Sequence, residues 1–369
     1  MRIQNKHYHT IWLKNDNREI VQVIDQRKLP FRFEIFSLKT VDDACFAIQE
    51  MVVRGAPLIG VTAAYGMYLA LLKYDGNNLK KYIHEKAGCL KAARPTAVNL
   101  SFAVNEMVDF ILNEKEDGDL IQKTVQKADS LKEKEIEFSE RIGNFGLELI
   151  QKIYDKKGET VNILTHCNAG WLACIDWGTA TAPIYKAHLK GIPVHIWVDE
   201  TRPRNQGARL TAFELAEEGV PHTVIPDNTG GHLMQHKMVD MVIVGSDRTT
   251  ITGDVANKIG TYLKALAASD NNIPFYVALP STSIDWKIED GINDIPIEIR
   301  ESGEVSEITG WTTDGEKSVR LIPEKSNAVN YGFDVTPARL VTGLITERGV
   351  CKANKESILK LFEKTDNKQ

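Results

Sequence analysis

Two residues in the C-terminal half of the sequence, Cys167 and Asp247, could act together in acid–base chemistry. Cys167 directly follows the run VNILTH, and Asp247 ends the run DMVIVGSD. We expect both runs to be parallel strands, whose carboxyl ends meet at the ligand-binding rim of an open α/β sheet. A helix beginning near Ala169 would favour the thiolate of Cys167. Apolar walls would raise the pKa of Asp247, so that this carboxyl group could donate a proton.

Both residues also have purely structural interpretations. A cysteine at a strand end can simply belong to the core, and an aspartate there can cap a helix or a turn. His166 is not expected to be a base for Cys167, because successive side chains of a strand point to opposite faces of the sheet. A cysteine–histidine nucleophile pair is therefore disfavoured.

The ends of the apolar runs carry many further polar residues and glycines, which should share the same rim. These residues are Asn168, Gly170, Glu200, Thr201, Arg202, Arg204, Gln206, Arg209, Asp227, Asn228, Gly230, Gly231, Arg248, Ser281 and Thr282. None of the runs is followed by G-x-G-x-x-G or G-x-x-x-x-G-K-[ST]. The sequence therefore lacks the motifs that usually bind dinucleotides and nucleoside triphosphates. Glycines, helix-start amides and the cations Arg54 and Lys258 suit a single phosphate group, which predicts a small phosphorylated metabolite as ligand.

A histidine pair offers a second possible chemistry. His232 and His236 lie four residues apart in HLMQH, which is metal-ligand spacing on a helix. Leu233 stands where H-E-x-x-H has its glutamate, and no nearby cysteine or second histidine pair completes a site. We interpret both as surface histidines, and a metal-dependent hydrolase remains an alternative.

Composition narrows the class of protein and its partners. The 369 residues are 43% hydrophobic and 26% charged, with a net charge of −5 and no basic block, so nucleic acid and anionic membrane are not expected partners. The longest apolar segment, residues 58–72, is shorter than the roughly 20 residues that span a bilayer and predicts a buried helix. Five scattered cysteines without Cys-x-x-Cys, and an N-terminus unlike a signal peptide, predict a cytoplasmic chain.

The elements that must position the polar rim differ between the two parts of the chain. Residues 1–157 are expected to form a smaller N-terminal α+β domain. A short antiparallel sheet from TIWL, EIVQVID and FRFEIF precedes helices, and the last helix, from about 120 to 153, is broken near residues 143–146. The polar segment DKKGET marks the boundary.

Residues 158–369 are expected to form a C-terminal Rossmann-like catalytic domain. The apolar runs VNILTH, VHIWVD, HTVIPD, DMVIVG and PFYVALP alternate with helical segments, a pattern typical of a parallel sheet with crossover helices. Residues 285–330 predict a polar hairpin insertion. Thr336 and Pro337 signal a further helix that ends before Gly349.

Eight motifs spread over most of the chain resemble one family. They are RGAPLIG (54–60), RPTAVNL (94–100), LTHCNAG (164–170), ETRPRNQGARLTAFEL (200–215), VGSDR (244–248), GDVANKIGTY (253–262), IPIEIR (295–300) and FDVTPARLVTGLITERGV (333–350). The resemblance is to the S-methyl-5-thioribose-1-phosphate isomerases of methionine salvage. Their wider superfamily also holds archaeal ribose-1,5-bisphosphate isomerases and regulatory subunits of the eukaryotic translation-initiation exchange complex.

The resemblance implies a homodimeric aldose–ketose isomerase that needs neither a metal nor an organic cofactor. Its substrate would be 5-methylthio-D-ribose 1-phosphate and its product 5-methylthio-D-ribulose 1-phosphate. Cys167 and Asp247 would be the catalytic pair, with Asp247 as proton donor and Cys167 as base or transition-state stabiliser. By motif match, the substrate would be contacted by Arg54, Gly55, Ala56, Arg94, Gln206, Asn257 and Lys258.

Such a reaction needs protein groups because the anomeric carbon of an aldose 1-phosphate is held as a phosphate ester and cannot open freely to an aldehyde. An acid must protonate the ring oxygen while hydrogen moves from C2 to C1. That hydrogen can move through a phosphoenolate with the help of a base, or as a hydride in a dry apolar pocket. The sequence leaves both routes open.

One departure from the family pattern bears on the substrate. After CNAG the chain has WLACIDWGTATAPIY, which is expected to place Trp171, Asp176 and Trp177 near the pocket. The group accepted at the fifth carbon is therefore open, and an isomerase of 5-deoxyribose 1-phosphate, or of several 5-substituted sugars, is an alternative. An alternative of another class is a non-catalytic regulatory subunit that senses sugar phosphates.

Overall fold

The structure is a computed structural model that describes residues 1–94, 97–114 and 119–363. Two residues of the RPTAVNL motif, Pro95 and Thr96, and the last six residues of the expected C-terminal domain lie outside the described residues. The description below concerns the rest of the chain.

The N-terminal part begins with short antiparallel strands. β1 (Arg2–Ile3) pairs with β2 (Lys6–His7), and β3 (Ile11–Lys14), β4 (Asn17–Ile24) and β5 (Ile35–Leu38) form a three-stranded sheet. The predicted antiparallel sheet is confirmed. Five helices follow: α1 (Val41–Gln49), α2 (Ala56–Leu72), α3 (Leu79–Ala93), α4 (Val98–Asn113) and α5 (Leu120–Lys157).

Helix α2 is the centre of the N-terminal core. All its residues from Ala56 to Leu71 are buried, because α1, α3, α4 and α5 surround it and leave no face for solvent. The predicted buried helix is confirmed. Among the described residues, no helix combines the length and the apolarity needed to cross a bilayer.

The predicted break in the last helix of this part is wrong, because α5 runs unbroken through Gly143 and Gly146. These glycines allow α6 (Ala182–Leu189) to approach closely. A Cβ atom at Gly143 would lie 2.9 Å from Cε of Lys186, and one at Gly146 would overlap the Pro183 ring. The glycines therefore serve helix packing and do not end the helix.

The remaining strands in chain order are β6 (Val161–Thr165), β7 (Val194–Asp199), β8 (His222–Ile225), β9 (Met241–Val244), β10 (Arg248–Thr250), β11 (Val255–Lys258), β12 (Phe275–Ala278), β13 (Ile284–Asp285), β14 (Ile299–Arg300), β15 (Glu307–Thr312), β16 (Gly315–Arg320), β17 (Asn330–Tyr331), β18 (Phe333–Thr336), β19 (Gly343–Thr346) and β20 (Gly349–Cys351). The helices after α6 are α7 (Ala212–Glu217), α8 (Thr229–Gln235), α9 (Thr261–Asp270), α10 (Gly291–Asp294), α11 (Gly303–Ser306) and α12 (Lys355–Glu363).

A seven-stranded sheet in the order β20-β19-β12-β9-β6-β7-β8 forms the second half, and all its pairs are parallel except β19 with β20. The five predicted strand runs are β6, β7, β8, β9 and β12, so the Rossmann-like prediction is confirmed. β7 and β8 follow β6 on one side of the sheet, and the next strand in the chain, β9, pairs with β6 on its other side. The order of strands reverses between β6 and β9, which is the switch point where such sheets bind ligands.

Both faces of this sheet are covered. Ile163 and Ile243 pack on the face that α5 and α6 cover, whereas Leu164 and Val244 face the side of α9 and α12. Burial on both sides explains why the strands are continuous apolar runs without alternation.

The predicted helix after Thr336 is wrong. This segment forms β18, a short 3₁₀ turn, β19 and β20, and Val277 of β12 pairs with Leu344 of β19. β-Branched and leucine side chains in LVTGLIT suit a strand between two buried faces, and this packing overrides the local helix-start signal of Thr336 and Pro337. The predicted hairpin insertion is confirmed by β15 and β16.

Candidate active site

The switch point of the sheet brings Cys167 and Asp247 together. β6 and β9 are neighbours, with Ile163 paired to Met241, and the two residues follow the carboxyl ends of these strands. They lie close enough for the charge of Asp247 to raise the pKa of the Cys167 thiol. The backbone of Asp247 is held by its N–H, which donates to the carbonyl of Ala256 in β11 at 3.0 Å.

Burial determines the protonation of Cys167. The residue is 6% exposed, and burial raises the pKa of its thiol, while the cations Arg54 and Lys258 oppose that rise. The expected helix at Ala169 is wrong, since a 3₁₀ turn at Trp171–Ala173 follows and α6 begins only at Ala182. The helix amides that were expected to favour a thiolate are therefore not at this position, and burial favours the neutral thiol of Cys167.

The backbone of Cys167 is held in a strained conformation. Its φ of +66° lies in the left-handed region, which is unfavourable for a side chain with a Cβ. The Cys167 N–H donates to Oγ1 of Thr201 at 2.8 Å, and Oγ1 of Thr211 donates to the Cys167 carbonyl at 2.7 Å. Thr211 ends a π-helical turn at Gly207–Thr211, a rare element that is frequent at functional sites.

His166 points away from Cys167, as predicted. Its Nδ1 lies 2.8 Å from Oδ2 of Asp199, and its Nε2 lies 2.9 Å from the carbonyl oxygen of Ile259. Nζ of Lys264 lies 3.2 Å from the same Asp199 oxygen. His166 is thus part of a buried network, and the prediction against a cysteine–histidine pair is confirmed.

The start of α2 brings a second set of expected site residues to the rim. Gly55 precedes the helix with φ +95°, and a Cβ there would overlap Ala173. The first amides of α2, beginning with Ala56, are therefore not capped by a side chain of Gly55 and are available to an anion. Arg54 donates from its guanidinium to Oδ1 and to the carbonyl of Asn168, at 2.5 and 2.7 Å.

Two recesses open around these residues. The first, which we call the Asp247 recess, spans about 430 Å³ that is partly open to solvent, and it is lined by Ala56, Ile59, Arg94, Ala97, Asp247, Arg248, Ala256, Ile295, Pro296, Ile297 and Phe333. The second, the Gln206 recess, spans about 360 Å³ that is also partly open to solvent, and it is lined by Gln26, Arg27, Met51, Arg54, Arg204, Gln206, Arg209 and Leu210. The first has an apolar wall with an acid at its edge, and the second is rich in cations.

Strand β11 supplies the last two expected residues. Lys258 is 7% exposed, and its Nζ lies 4.9 Å from the centre of the Phe333 ring. Burial lowers the pKa of Lys258, whereas the charges of Cys167 and Asp247 raise it, and the net shift is downward. Asn257 donates from Nδ2 to Oγ1 of Thr261 at 3.0 Å, which fixes its side-chain amide.

Arg94 reaches the Asp247 recess from the end of α3. One of its guanidinium nitrogens lies 3.3 Å from Oε2 of Glu298, and Arg300 donates to the other oxygen of Glu298 at 2.7 Å. Arg94 and Arg300 both act on the pKa of Lys258, so three cations lie close together here. Glu298 and Arg300 were not predicted as site residues, although the quoted motif IPIEIR contains them.

A buried glutamate that the sequence reasoning missed supports this side of the site. Glu214 is fully buried and accepts hydrogen bonds from Nδ2 of Asn168 at 3.0 Å, the amides of Trp171 and Leu172 at 3.1 and 2.8 Å, and the Tyr185 hydroxyl at 3.0 Å. Burial raises its pKa to about 7. It lies in a helix without any local signal, so only the tertiary structure reveals it.

Other expected residues lie elsewhere. Trp171 is fully buried in the core that also contains residues of α6. Nζ of Lys186 lies 4.3 Å from the centre of the Trp177 ring. Neither tryptophan lines the two recesses. Their expected place near the pocket is wrong, because the segment folds down onto the core. The ring centres of His232 in α8 and His236, which follows that helix, are 4.2 Å apart, and the described residues add no third ligand to them.

Comparisons with known proteins agree with this architecture. Residues 52–353 match the initiation factor 2 subunit family. A methylthioribose-1-phosphate isomerase from Desulfatibacillum aliphaticivorans is 58% identical over 98% of this chain and 99% of that protein.

Solved structures extend the likeness to the fold. The crystal structure of 5-methylthioribose 1-phosphate isomerase from Pyrococcus horikoshii OT3 is similar with a TM-score of 0.84 and 37% identity, over 98% of this chain and 97% of that one. Translation initiation factor eIF-2B, subunit delta, from A. fulgidus gives 0.79 and 34%, over 97% and 100%. This chain therefore belongs to the methylthioribose-1-phosphate isomerase family, within the wider initiation factor 2 subunit family.

Proposed function

We propose that this chain converts 5-methylthio-D-ribose 1-phosphate into 5-methylthio-D-ribulose 1-phosphate, as an intramolecular oxidoreductase of methionine salvage. The observation that carries the proposal is the meeting of Cys167, Asp247 and the buried Lys258 at the switch point of the sheet. The names of its relatives, which match it over nearly their whole length, support the same reaction.

The cationic groups of the site would bind the sugar phosphate. Arg54, Lys258 and Arg94 supply positive charge, and the first amides of α2 after Gly55 supply aligned donors. Gln206 and Asn257 would add hydrogen bonds to the sugar. Binding the phosphate at these groups would leave the reacting carbons near Cys167 and Asp247.

Asp247 would act as the acid that opens the ring. Its carboxyl group would give a proton to the ring oxygen as the bond between that oxygen and C1 breaks. In the hydride route, hydrogen then passes with its electron pair from C2 to C1, and the 2-hydroxyl proton returns to the carboxylate of Asp247 as the C2 carbonyl forms. A buried thiol is a poor base, so the burial of Cys167 favours this route over the phosphoenolate, and Cys167 would serve as the transition-state stabiliser instead of the base.

The route can be tested with substrate that carries deuterium at C2. We expect the label to stay in the product, now at C1, because a hydride does not exchange with water. Proton NMR of the ketose in ordinary water would show this directly. Loss of the label to solvent would instead demonstrate proton abstraction by a base, and the hydride route would then be wrong.

The apolar wall of the Asp247 recess favours the methylthio sugar over the deoxy sugar. Ile59, Ile295 and Phe333 line it and offer a thioether the apolar contact that a bare methyl group uses less fully. A proton-NMR assay without cofactor, in chelator-treated buffer, should give a higher kcat/KM for 5-methylthioribose 1-phosphate than for 5-deoxyribose 1-phosphate. The reverse preference would assign the chain to deoxy-sugar salvage, and binding without turnover would assign it to the non-catalytic class.

We also propose that the chain forms a homodimer, that its two domains meet near residues 155–160, and that it lies in the cytoplasm. All five cysteines are unpaired, which fits a reducing compartment. Several large apolar side chains between the start of α10 and the end of β17 are exposed, and a second copy would cover them; they are Ile292, Ile299, Trp311, Val319, Leu321, Val329 and Tyr331. Light scattering of the purified protein would test the dimer, and a monomeric mass at micromolar concentration would contradict it.

A further inference from the structure

Three side chains outside the two recesses point their ligand atoms at one spot. Nε2 of His7 lies 3.0 Å from Oδ2 of Asp176, and Nε2 of His9 lies 3.6 Å from the same oxygen. All three ligand atoms lie within 4.8 Å of one another. Asp176 is far from both histidines in the sequence, so the fold has brought the three side chains together.

The backbone around this spot is well fixed. His7 ends β2, and the ring of His9, two residues later, lies 5.0 Å from the ring of His7 between centres. Thr10, which follows His9, is hydrogen-bonded to the segment that carries Asp176. Its N–H donates to the carbonyl of Ile175 at 3.2 Å, and its hydroxyl donates to the carbonyl of Cys174 at 2.6 Å. Convergence of the three ligands is therefore a property of the packed structure.

Aspartate and histidines differ in their access to solvent. The Asp176 side chain is 9% exposed, and its Oδ1 accepts a hydrogen bond from the ammonium group of Met1 at 2.6 Å. The His7 and His9 side chains are 58% and 28% exposed. A buried carboxylate thus forms the floor, and two imidazoles form an open rim through which an ion and a water molecule could enter.

We propose that His7, His9 and Asp176 bind a divalent transition-metal ion of the zinc class, with the remaining coordination position open to water. Imidazole nitrogen and carboxylate oxygen are common zinc ligands. In a tetrahedral site with bonds of about 2.05 Å, neighbouring ligand atoms are about 3.3 Å apart. The observed separations of 3.0 and 3.6 Å lie on either side of that value.

The consequence of metal binding would be structural. The ion would fasten the β1–β2 hairpin to the segment at 174–178, which follows the 3₁₀ turn that Glu214 holds through the amides of Trp171 and Leu172. It lies outside both recesses, so it would take no part in the proposed isomerisation, and that proposal can fail or succeed independently.

The test is a zinc titration of the metal-free, full-length protein, in competition with a chromogenic chelator. Exposed Cys89 is another candidate zinc ligand, so all variants carry Cys89→Ala. In this background we expect one tight equivalent of zinc. The double variant His7→Ala/His9→Ala should lose it, whereas the matched control His232→Ala/His236→Ala, which removes a second histidine pair, should keep it.

Thermal unfolding provides the second readout. Zinc in large excess should raise the Tm of the background protein and of the His232/His236 variant, and leave that of the His7/His9 variant unchanged. Asp176→Asn should weaken zinc binding without removing either histidine. The same tight equivalent in the His7/His9 variant, or no zinc binding at micromolar concentration in the background protein, would overturn the proposal.

Discussion

At the scale of single residues, the position of Arg54 depends on a residue that does not itself reach either recess. Arg54 donates to Asn168, and Nδ2 of Asn168 donates to Glu214 and to Thr211 at 3.0 and 3.1 Å. The side-chain amide of Asn168 is thereby held in one orientation, with its oxygen toward the guanidinium. If Arg54 binds the substrate as proposed, we expect Glu214 to be a positioning residue for it.

Replacing Glu214 with Gln should therefore affect binding more than chemistry. One of the two terminal atoms of Gln is a donor, so it would face either Asn168 and Leu172 or Trp171 and Tyr185, which all donate to Glu214, and the network that holds Asn168 would loosen. We expect KM to rise about tenfold, which corresponds to roughly 1.4 kcal/mol of lost binding, with a smaller change in kcat. Steady-state kinetics on 5-methylthioribose 1-phosphate would measure both.

The control is a second buried glutamate with no link to Arg54. Glu135 lies in α5 and accepts from Oγ1 of Thr282 at 3.0 Å. Glu135→Gln should leave KM close to that of the unchanged protein. Equal KM values in both variants, at similar thermal stability, would show that Glu214 has no positioning role.

Glu135 itself predicts a pH dependence of stability. Burial raises its pKa from 4.5 to about 7, although the hydrogen bond from Thr282 opposes the rise. Between these two values the folded chain keeps a proton that the unfolded chain releases, so the free energy of unfolding falls as pH rises through this window. The contribution is about 3 kcal/mol for a fully buried carboxyl group.

Urea unfolding at pH 5 and pH 7.5 would check this sign. Glu135→Gln cannot ionise, so it should lose less stability over that interval than the unchanged protein does. Exposed Glu133 on the same helix supplies the control, and Glu133→Gln should keep the full pH dependence. If Glu135→Gln and Glu133→Gln behave alike, Glu135 is not the titrating group.

At the scale of elements, the contact of α5 with α6 depends on two glycines. A side chain at Gly146 would overlap Pro183, so Gly146→Ala should destabilise the fold by about 1–3 kcal/mol despite the better helix propensity of alanine. Gly88 in α3 is the matched control, because a Cβ there meets nothing within 4 Å. Gly88→Ala should stabilise by about 0.5–1 kcal/mol. A higher Tm in both variants would contradict the close packing.

Elements were predictable from sequence where local pattern and tertiary packing agree. The buried strands β6 and β9 are continuous apolar runs, and α2 is apolar on all sides, so each pattern already reflects its surroundings. The helix expected after Thr336 failed because its start signal is local, whereas β19 forms by pairing with β12. The break expected in α5 failed because Gly143 and Gly146 are required by a neighbour distant in sequence.

The same distinction holds for the site. Cys167 and Asp247 could be placed at one rim, because parallel strands bring their ends together. The thiol state of Cys167 could not be predicted, since it depends on burial and on two cations from other elements. Glu214 and the pairing of Arg94 with Glu298 likewise arise only in the folded chain.

At the scale of the whole molecule, the strand order explains why Cys167 and Asp247 lie close together. The order of strands reverses between β6 and β9, and the recess at Asp247 beyond their ends is lined by Ala56 and Ile59 of α2 and by Ala256 of β11. Arg54 comes from one part, and Cys167, Asp247 and Lys258 come from the other. We expect activity to require both parts packed as they are here.

The central claim is that Cys167 and Asp247 catalyse the isomerisation of 5-methylthioribose 1-phosphate, and one comparison tests it most directly. Ketose formation from this sugar would be followed by proton NMR for the unchanged protein, Asp247→Asn and Cys167→Ser, each checked for folding by its Tm. We predict turnover by the unchanged protein and a loss of about 10²–10⁴-fold in kcat for Asp247→Asn and for Cys167→Ser, with similar Tm values. Near-normal kcat in either variant, or no ketose from the unchanged protein, would contradict the claim.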